Sequence, residues 1–192
     1  MDDVVLRAMA RWPEVPAVHG WLSLDRRGQW RLQGDPIAHE GSIRFIGRNY
    51  HADKTGRWYF QNGPQRVYVQ LDYLPWVLFM SPNSDVLTTH TGSAAAPSGK
   101  FWVDGEGALI IATQAGPGLL YDQDLPRALA RMRVQSGADA DLERALEHPE
   151  QADELGLEIR WHGAWHPVRG IDSHQVASIF GFEPNPRGPA PE

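Results

Sequence analysis

The sequence of 192 residues contains no cysteine. Disulfides and thiolate metal sites are therefore excluded, and the absence is typical of proteins in a reducing compartment. No run of about 18 apolar residues occurs, so no transmembrane helix is predicted. The first three residues, Met1, Asp2 and Asp3, are followed by no uninterrupted apolar segment, which argues against a secretory signal. Together these absences predict a cytoplasmic protein without a membrane partner.

A basic net charge is also lacking, since the formal charge is −6 at pH 7. Residues 1–80 carry ten basic and eight acidic side chains, whereas residues 81–192 carry eight and sixteen. General nucleic-acid binding needs a concentrated basic face, so no nucleic-acid partner is expected. An anionic ligand would be attracted to the first half, where the balance is positive.

The composition is that of a folded protein, with 42% hydrophobic and 22% charged residues. Eight tryptophans fall in both halves, and each can bury a large area, so both halves are expected to have cores. We predict an α+β fold with mostly antiparallel sheets and packed helices, in two sheet-plus-helix halves. The halves are predicted at residues 1–91 and 100–182, joined by the small-residue loop 92–99. Residues 183–192, rich in proline, are predicted to be a disordered tail.

The stretch 57–80 gives the clearest strand pattern. Val67, Val69 and Leu71 alternate with polar residues as a half-buried strand requires. Asn62-Gly63 is typical of a tight hairpin turn. We therefore predict neighbouring antiparallel strands throughout this stretch, including a strand at 76–80 that is buried on both faces.

Helices are predicted where apolar residues recur with helical spacing. The segments are 3–11, 43–50 with Ser42 as its cap, a helix from Asp124 that ends before Gly137, 139–148, and a last helix capped by Ser173.

Residues 24–77 resemble a proteobacterial family of unknown function, the domain-of-unknown-function family twelve-eighty-five, or a sister family. The similarity lies in turn and core residues: Asp25, Gly28, Trp30, Gly34, Pro36, Ile37, Gly56, Trp58, Pro64, Val67, Val69 and Pro75, and later His166-Pro167-Val168-Arg169-Gly170-Ile171. The resemblance implies two sheet-plus-helix halves, loosely like pleckstrin-homology folds, and a signalling role. It brings no catalytic residues.

The sequence predicts no catalytic residues, no metal site and no cofactor. His162 and His166 have the spacing of a helical metal pair, but Gly163 between them favours a hairpin turn, and no third ligand lies nearby. Asp104 and Glu106 lack the spacing of a calcium loop. No serine has a nucleophile-elbow sequence, although a catalytic triad assembled from distant residues stays possible.

Two polar segments beside the best strand region are the candidate ligand-binding site. Their side chains offer several hydrogen-bond donors for a carboxylate or phosphate. The candidates are Arg48, Asn49, Tyr50, Asn62, Gln65 and Arg66. The alternative is that the amides complete turns and both arginines face water.

The leading functional prediction is a non-enzymatic bacterial ligand-binding or regulatory module, whose partner is a small anionic molecule or a protein. Two alternatives stay open: a hydrolase with a site assembled from distant residues, and a structural subunit of a homo-oligomer. The sequence does not determine the oligomeric state.

Overall fold

The chain forms two compact units in a computed structural model that describes residues 1–12, 15–82 and 84–188. Unit 1 comprises Met1–Pro75, His90–Gly92 and the chain from Phe180 onward. Unit 2 comprises Trp76–Thr89 and Ser93–Ile179. None of the described helices has the length and apolar character needed to cross a membrane.

Helices and strands alternate irregularly along the chain. The helices are α1 (Asp3–Arg11), α2 (Glu40–Arg48), α3 (Leu125–Leu129), α4 (Asp139–Glu147), α5 (Ala152–Leu155) and α6 (Val176–Phe180). The strands of unit 1 are β1 (Val18–Leu24), β2 (Trp30–Leu32), β3 (Asp35–Pro36), β4 (Tyr50–Ala52), β5 (Trp58–Asn62) and β6 (Gln65–Leu71). Those of unit 2 are β7 (Trp76–Met80), β8 (Leu87–Thr89), β9 (Ala94–Ala95), β10 (Pro97–Asp104), β11 (Leu109–Thr113), β12 (Gly116–Leu120), β13 (Met132–Arg133), β14 (Glu158–Trp161) and β15 (Ala164–Ile171).

Each unit contains one mixed sheet, and the predicted α+β class is confirmed. The sheet of unit 1 has the order β3-β2-β1-β6-β5-β4, in which β1 and β6 are parallel. The sheet of unit 2 has the order β13-β14-β15-β10-β11-β12-β7-β8-β9, with parallel pairs at β15–β10 and β12–β7. All other described strand pairs are antiparallel, as expected.

The hairpin predicted after Asn62-Gly63 is present, because β5 and β6 pair antiparallel across it. Val69 and Leu71 are buried, and Val67 is half-buried. The prediction that residues 76–80 continue the same sheet is wrong. β7 instead pairs with β12 and β8, both in unit 2. It is apolar along its length, so it suits the interior of the larger sheet, where both of its faces are covered.

The units also divide elsewhere than at the predicted loop 92–99. This segment contains β9 and the beginning of β10, because small side chains fit the sheet edge that pairs with β8. Strands β7 and β8 lie before the predicted boundary but belong to unit 2. The helix predicted from Asp124 is short: α3 ends at Leu129, and Met132 begins β13, where it pairs with Ile159.

Residues 183–188, the start of the predicted disordered tail, are hydrogen-bonded within unit 1. The Leu71 amide donates to the Pro184 carbonyl at 2.8 Å, and the Glu183 amide donates to the Gly56 carbonyl at 3.0 Å. Proline cannot donate from its nitrogen but its carbonyl still accepts, so a proline-rich segment can pair on one side. Residues 189–192 lie outside the described residues.

The sheet of unit 1 has two distinct faces because strand side chains alternate. On the first face Leu22, Trp30 and Val69 are buried, and Phe45 and Ile46 of α2 pack against it. Helix α2 is amphipathic, and the His39 ring accepts a hydrogen bond from the Ser42 amide at its beginning. The second face carries polar and aromatic residues of β5 and β6, and α1 lies beside it.

The core of unit 2 is formed by one face of its sheet and by α3, α4 and α5. Leu78, Phe101, Ile111 and Trp161 are at most 1% exposed. Burial of apolar side chains on this scale is the main stabilising contribution to such a unit.

Candidate functional site

A polar cavity of unit 1 lies on the second face of its sheet, beside the end of α1. Its volume is about 480 Å³. The lining residues are Met9, Trp12, Val15, Ala17, Gln61, Pro64, Arg66 and Tyr68. We call this cavity the Arg66 pocket.

Arg66 supplies the positive charge of the pocket. It is exposed on β6, and its guanidinium carbon lies 4.8 Å from the centroid of the Tyr59 ring. Within the described residues no carboxylate or carbonyl is hydrogen-bonded to this guanidinium. Because stacking on an aromatic ring leaves the planar edge of an arginine open, Arg66 presents its donors to an incoming anion.

Gln61 lies directly opposite Arg66 in the β5–β6 register, so both side chains are on the same face. The Gln61 side chain is 1% exposed, and its Nε2 donates to the Gly63 carbonyl at 2.9 Å. Its Oε1 is buried without a hydrogen-bond partner among the described residues. A buried acceptor of this kind costs about 1–3 kcal/mol until a donor reaches it.

Tyr68 forms the floor of the pocket, and its hydroxyl is already engaged. The hydroxyl donates to Asp53 Oδ2 at 3.2 Å, and the Arg57 guanidinium lies 4.8 Å from the ring centroid. Burial tends to raise the pKa of Asp53, but hydrogen bonds from Thr55 and Arg57 outweigh it and lower that pKa well below its usual value. Asp53 therefore stays ionised and holds Tyr68, which offers the pocket its ring and not its hydroxyl.

The remaining wall is apolar. Trp12 is 51% exposed at the end of α1, and Met9 lies one helical turn earlier. An exposed tryptophan beside a polar pocket gives a ligand apolar surface to cover. Among the described residues, the pocket thus combines a guanidinium without a hydrogen-bond partner, an acceptor without a donor and a hydrophobic wall.

Arg48 and Asn49, two of the predicted ligand residues, contact α1 instead. Arg48 Nε donates to Asp2 Oδ1 at 3.1 Å, and the Asp2 amide donates to Asn49 Oδ1 at 2.8 Å. The hydrogen bond from Arg48 lowers the pKa of Asp2. These contacts fix the beginning of α1, whereas the Arg66 pocket lies at its end.

Tyr50, Asn62 and Gln65 lie on the first face of the sheet. Tyr50 is buried and donates to the Pro75 carbonyl at 3.1 Å. Asn62 and Gln65 line a second, mainly apolar cavity of about 340 Å³ under α2. The structure therefore places the six predicted residues in three different surroundings and does not bring them together in one cavity.

Sequence reasoning missed Gln61 and Trp12. The observed two-residue loop is Gly63-Pro64, closed by the Asn62–Gln65 pair, and it places Gln61 opposite Arg66. A loop formed by Asn62-Gly63 would instead have placed Gln61 opposite Pro64, so the turn signal alone was one residue out of register. No local pattern shows that the Gln61 oxygen has no partner among the described residues.

The two histidines considered as a metal pair have different surroundings. His162 lies in the β14–β15 turn with φ 47°, and His166 lies on β15, 5.6 Å from Phe101 between ring centroids. The described part of the chain contains no group of three or more histidine, aspartate or glutamate side chains placed to hold a metal ion.

Comparison with known proteins connects the chain to families of unknown function. The DUF2944 family model, described as "Protein of unknown function (DUF2946)", matches residues 1–187. A search of curated proteins finds no match. The crystal structure of a DUF1285 family protein from Silicibacter pomeroyi is similar, with TM-score 0.53 and 18% identity over 88% of this chain and 96% of that chain.

A DUF1285 family protein from Shewanella baltica also matches, with TM-score 0.44 and 11% identity over 56% of this chain and 88% of that chain. The predicted resemblance to family twelve-eighty-five or a sister family is thus confirmed. At these identities the Silicibacter structure shows a shared fold and carries no information about a ligand.

Proposed function

This chain belongs to the DUF2944 family, whose description names no ligand, and we propose from its geometry that unit 1 is a small-molecule binding module. The Arg66 pocket is its binding site, and the ligand is a small carboxylate with a hydrogen-bond donor close to the carboxylate. The observation that supports this most directly is the cross-strand position of Arg66 and Gln61, whose guanidinium and buried side-chain oxygen have no hydrogen-bond partner among the described residues.

The two groups select complementary parts of one ligand. An arginine fork binds a carboxylate through two parallel charge-assisted hydrogen bonds. The Gln61 oxygen accepts from an N–H or O–H of the same molecule, and the partner that it lacks in the protein is then supplied. Because unmatched buried polar groups discriminate strongly, a ligand without the donor is rejected.

Two carboxylates that differ in one acetamido group, which carries the donor, test this proposal. N-acetyl-L-leucine carries a carboxylate, an adjacent amide N–H and an apolar side chain that fits beside Trp12, whereas 4-methylpentanoate lacks the N–H. We expect saturable binding by calorimetry, with N-acetyl-L-leucine bound at least about tenfold more tightly.

Arg66→Gln should weaken binding of N-acetyl-L-leucine at least about tenfold, because it removes a charge-assisted contact. The melting temperature should change little, since Arg66 is exposed and its described contact is the stacking on Tyr59. Arg44→Gln is the matched control: Arg44 is an exposed arginine of unit 1 that pairs with Glu40 on α2. Equal binding by Arg66→Gln and the unmodified protein, or no saturable binding of either compound, contradicts the proposal.

The hydrolase alternative gains no support from the contact between His39 and Ser42 beside the apolar cavity. His39 Nδ1 lies 3.1 Å from Ser42 Oγ, but the same nitrogen accepts the Ser42 amide N–H at 3.1 Å. A nitrogen already engaged by the backbone is poorly placed to take the hydroxyl proton. This contact is a helix cap.

A further inference from the structure

A second polar groove lies in unit 2, at the sheet edge formed by β13, β14 and β15. Its volume is about 490 Å³. The residues that line it are Asp85, Ala130, Arg131, Arg160, Gly163 and Trp165. We call it the edge groove, and none of its residues belongs to the Arg66 pocket.

Asp85, the carboxylate of the groove, is fully engaged by the protein. Its Oδ2 accepts the His162 amide at 2.7 Å, and its carbonyl accepts Trp161 Nε1 at 3.1 Å. Its Oδ1 accepts a hydrogen bond from the Arg131 guanidinium. Asp85 therefore holds the β14–β15 turn, and its negative charge is already balanced by Arg131. It does not neutralise a second cation in the groove.

Arg160 is that second cation. Its amide donates to the Arg131 carbonyl at 2.8 Å, so the two arginines are adjacent across the sheet edge. The Arg160 guanidinium has no hydrogen-bond or ion-pair partner among the described residues. An anion in the groove would supply this partner.

Trp165 provides a planar surface beside these charges. It lies directly opposite Arg160 in the β14–β15 register and is 37% exposed. The Arg133 guanidinium carbon is 3.8 Å from the centroid of its ring, and the charge of this guanidinium is offset by Glu158, with which it is paired at 2.8 Å. Gly163 carries no side chain, and the space where a Cβ would project is open, so access to the groove is unobstructed.

The cations concentrate here against the charge of the unit. Unit 2 contains fourteen acidic and seven basic residues, and three of the seven basic residues are Arg131, Arg133 and Arg160. Asp85 pairs with Arg131 and Glu158 pairs with Arg133, so the positive charge of the groove that has no ion-pair partner among the described residues is that of Arg160. This charge attracts a dianion more strongly than a monoanion. A phosphate monoester carries a charge of about −1.5 to −2 at pH 7 and three acceptor oxygens.

We propose that the edge groove binds phosphate monoesters of a planar organic group. The Arg160 fork binds the phosphate together with the neighbouring guanidinium of Arg131, and the organic group packs on Trp165. This site is independent of the Arg66 pocket.

Phenyl phosphate is the probe that tests the assignment, followed by calorimetry and by amide chemical shifts of the full chain. We expect saturable binding with shifts confined to residues around the edge groove, and binding that weakens as salt is raised. Inorganic phosphate, which cannot pack on Trp165, should bind several-fold more weakly, and benzoate, with a single charge, more weakly still.

Substitutions then locate the site. Arg160→Ala should weaken phenyl phosphate at least about tenfold, and Arg160→Lys should be intermediate because a charge remains without the fork. Trp165→Leu should remove the advantage of phenyl phosphate over inorganic phosphate. Arg144→Ala, an exposed arginine of α4 paired with Asp141, should leave binding unchanged, as should Arg66→Gln in unit 1.

Three results would overturn the proposal: no saturable binding of phenyl phosphate, equal affinity in Arg160→Ala and the unmodified protein, or benzoate binding as tightly as phenyl phosphate. Arg160 is exposed, so its variants are expected to fold, and an unchanged melting temperature verifies this before binding is compared.

Discussion

Gln61 and Arg66 face each other across the β5–β6 hairpin, yet the buried Gln61 oxygen has no partner in the described part of the chain, while the Arg66 guanidinium lies over Tyr59. A protein optimised for stability alone would join an unpaired acceptor and a free donor that are cross-strand neighbours. Leaving both available is expected where binding uses them, because functional sites commonly break the rules that stabilise the rest of a fold.

Gln61→Met should therefore keep or raise stability while weakening the ligand. Methionine has a similar shape, and the substitution removes a buried unpaired oxygen that costs about 1–3 kcal/mol together with one hydrogen bond that contributes about 0.5–1.5 kcal/mol. Denaturant unfolding should show a free energy equal to or above that of the unmodified protein, and N-acetyl-L-leucine should bind less tightly.

Gln65→Met is the matched control. Gln65 lies on the other face of the same hairpin and also donates one hydrogen bond, to the Pro16 carbonyl at 3.1 Å, but it carries no buried unpaired atom. A small loss of stability with unchanged binding is expected there. If Gln61→Met lowered the free energy of unfolding by more than about 2 kcal/mol, its oxygen would have a structural partner after all.

Gly170 on β15 is predicted to reject any side chain. A Cβ at this position would lie 1.9 Å from the Pro149 carbonyl oxygen and 2.6 Å from the Pro149 carbonyl carbon. Both are backbone atoms and cannot move aside cheaply, so Gly170→Ala should lower the free energy of unfolding by at least about 2 kcal/mol.

Gly105 offers the comparison in the same unit. The space around its Cβ position is empty, and its φ lies outside the left-handed region. Gly105→Ala should change stability by no more than about 1 kcal/mol, in the stabilising direction. Equal melting temperatures for the two alanine variants would show that β15 can move away from Pro149.

His90 makes the stability of unit 1 sensitive to mild acid. The ring packs against Trp30 and Tyr50, at 5.2 and 5.8 Å between centroids, and burial lowers the pKa of His90 to about 3. In the unfolded chain the pKa is about 6.5. Below that value the unfolded state binds a proton that the folded state refuses, so stability falls as the pH drops from about 6.5 towards about 3.

His90→Phe should remove this contribution. Between pH 6.5 and 5.5, before most carboxylates take up protons, the free energy of unfolding should fall less steeply in the variant, by up to about 1.4 kcal/mol per pH unit. Denaturant titrations at several pH values measure the slope, with His174→Gln at an exposed ring as the control. Identical slopes for His90→Phe and the unmodified protein would count against a neutral buried His90.

The parts of the fold that could be predicted are those that local patterns determine. Alternation from Val67 to Leu71 and the Asn62-Gly63 turn fix the β5–β6 hairpin without help from the rest of the chain. The partner of β7 could not be predicted, because it is β12, about forty residues away, where Gly118 reads as a loop residue. A Cβ at Gly118 would lie 2.6 Å from Leu78, so glycine is there to admit that side chain.

The candidate site follows the same division. The charge balance of the first half indicated Arg66, because charge is a property of the sequence itself. Arg48 has the same chemistry but its charge is used by Asp2, a residue forty-six positions earlier. Which arginine is free is decided by tertiary contacts, and so is the isolation of the Gln61 oxygen.

Unit 1 is assembled from three separate stretches of chain, with its last stretch beginning at Phe180. During synthesis the ribosome finishes all of unit 2 before it makes Phe182 and Pro184, whose neighbours are Gly56 and Leu71. The half of the protein that is started first is therefore completed last. The Leu71 amide of its β5–β6 hairpin is synthesised more than a hundred residues before its acceptor, the Pro184 carbonyl. A nascent chain stalled before Phe180 therefore lacks the last stretch of unit 1.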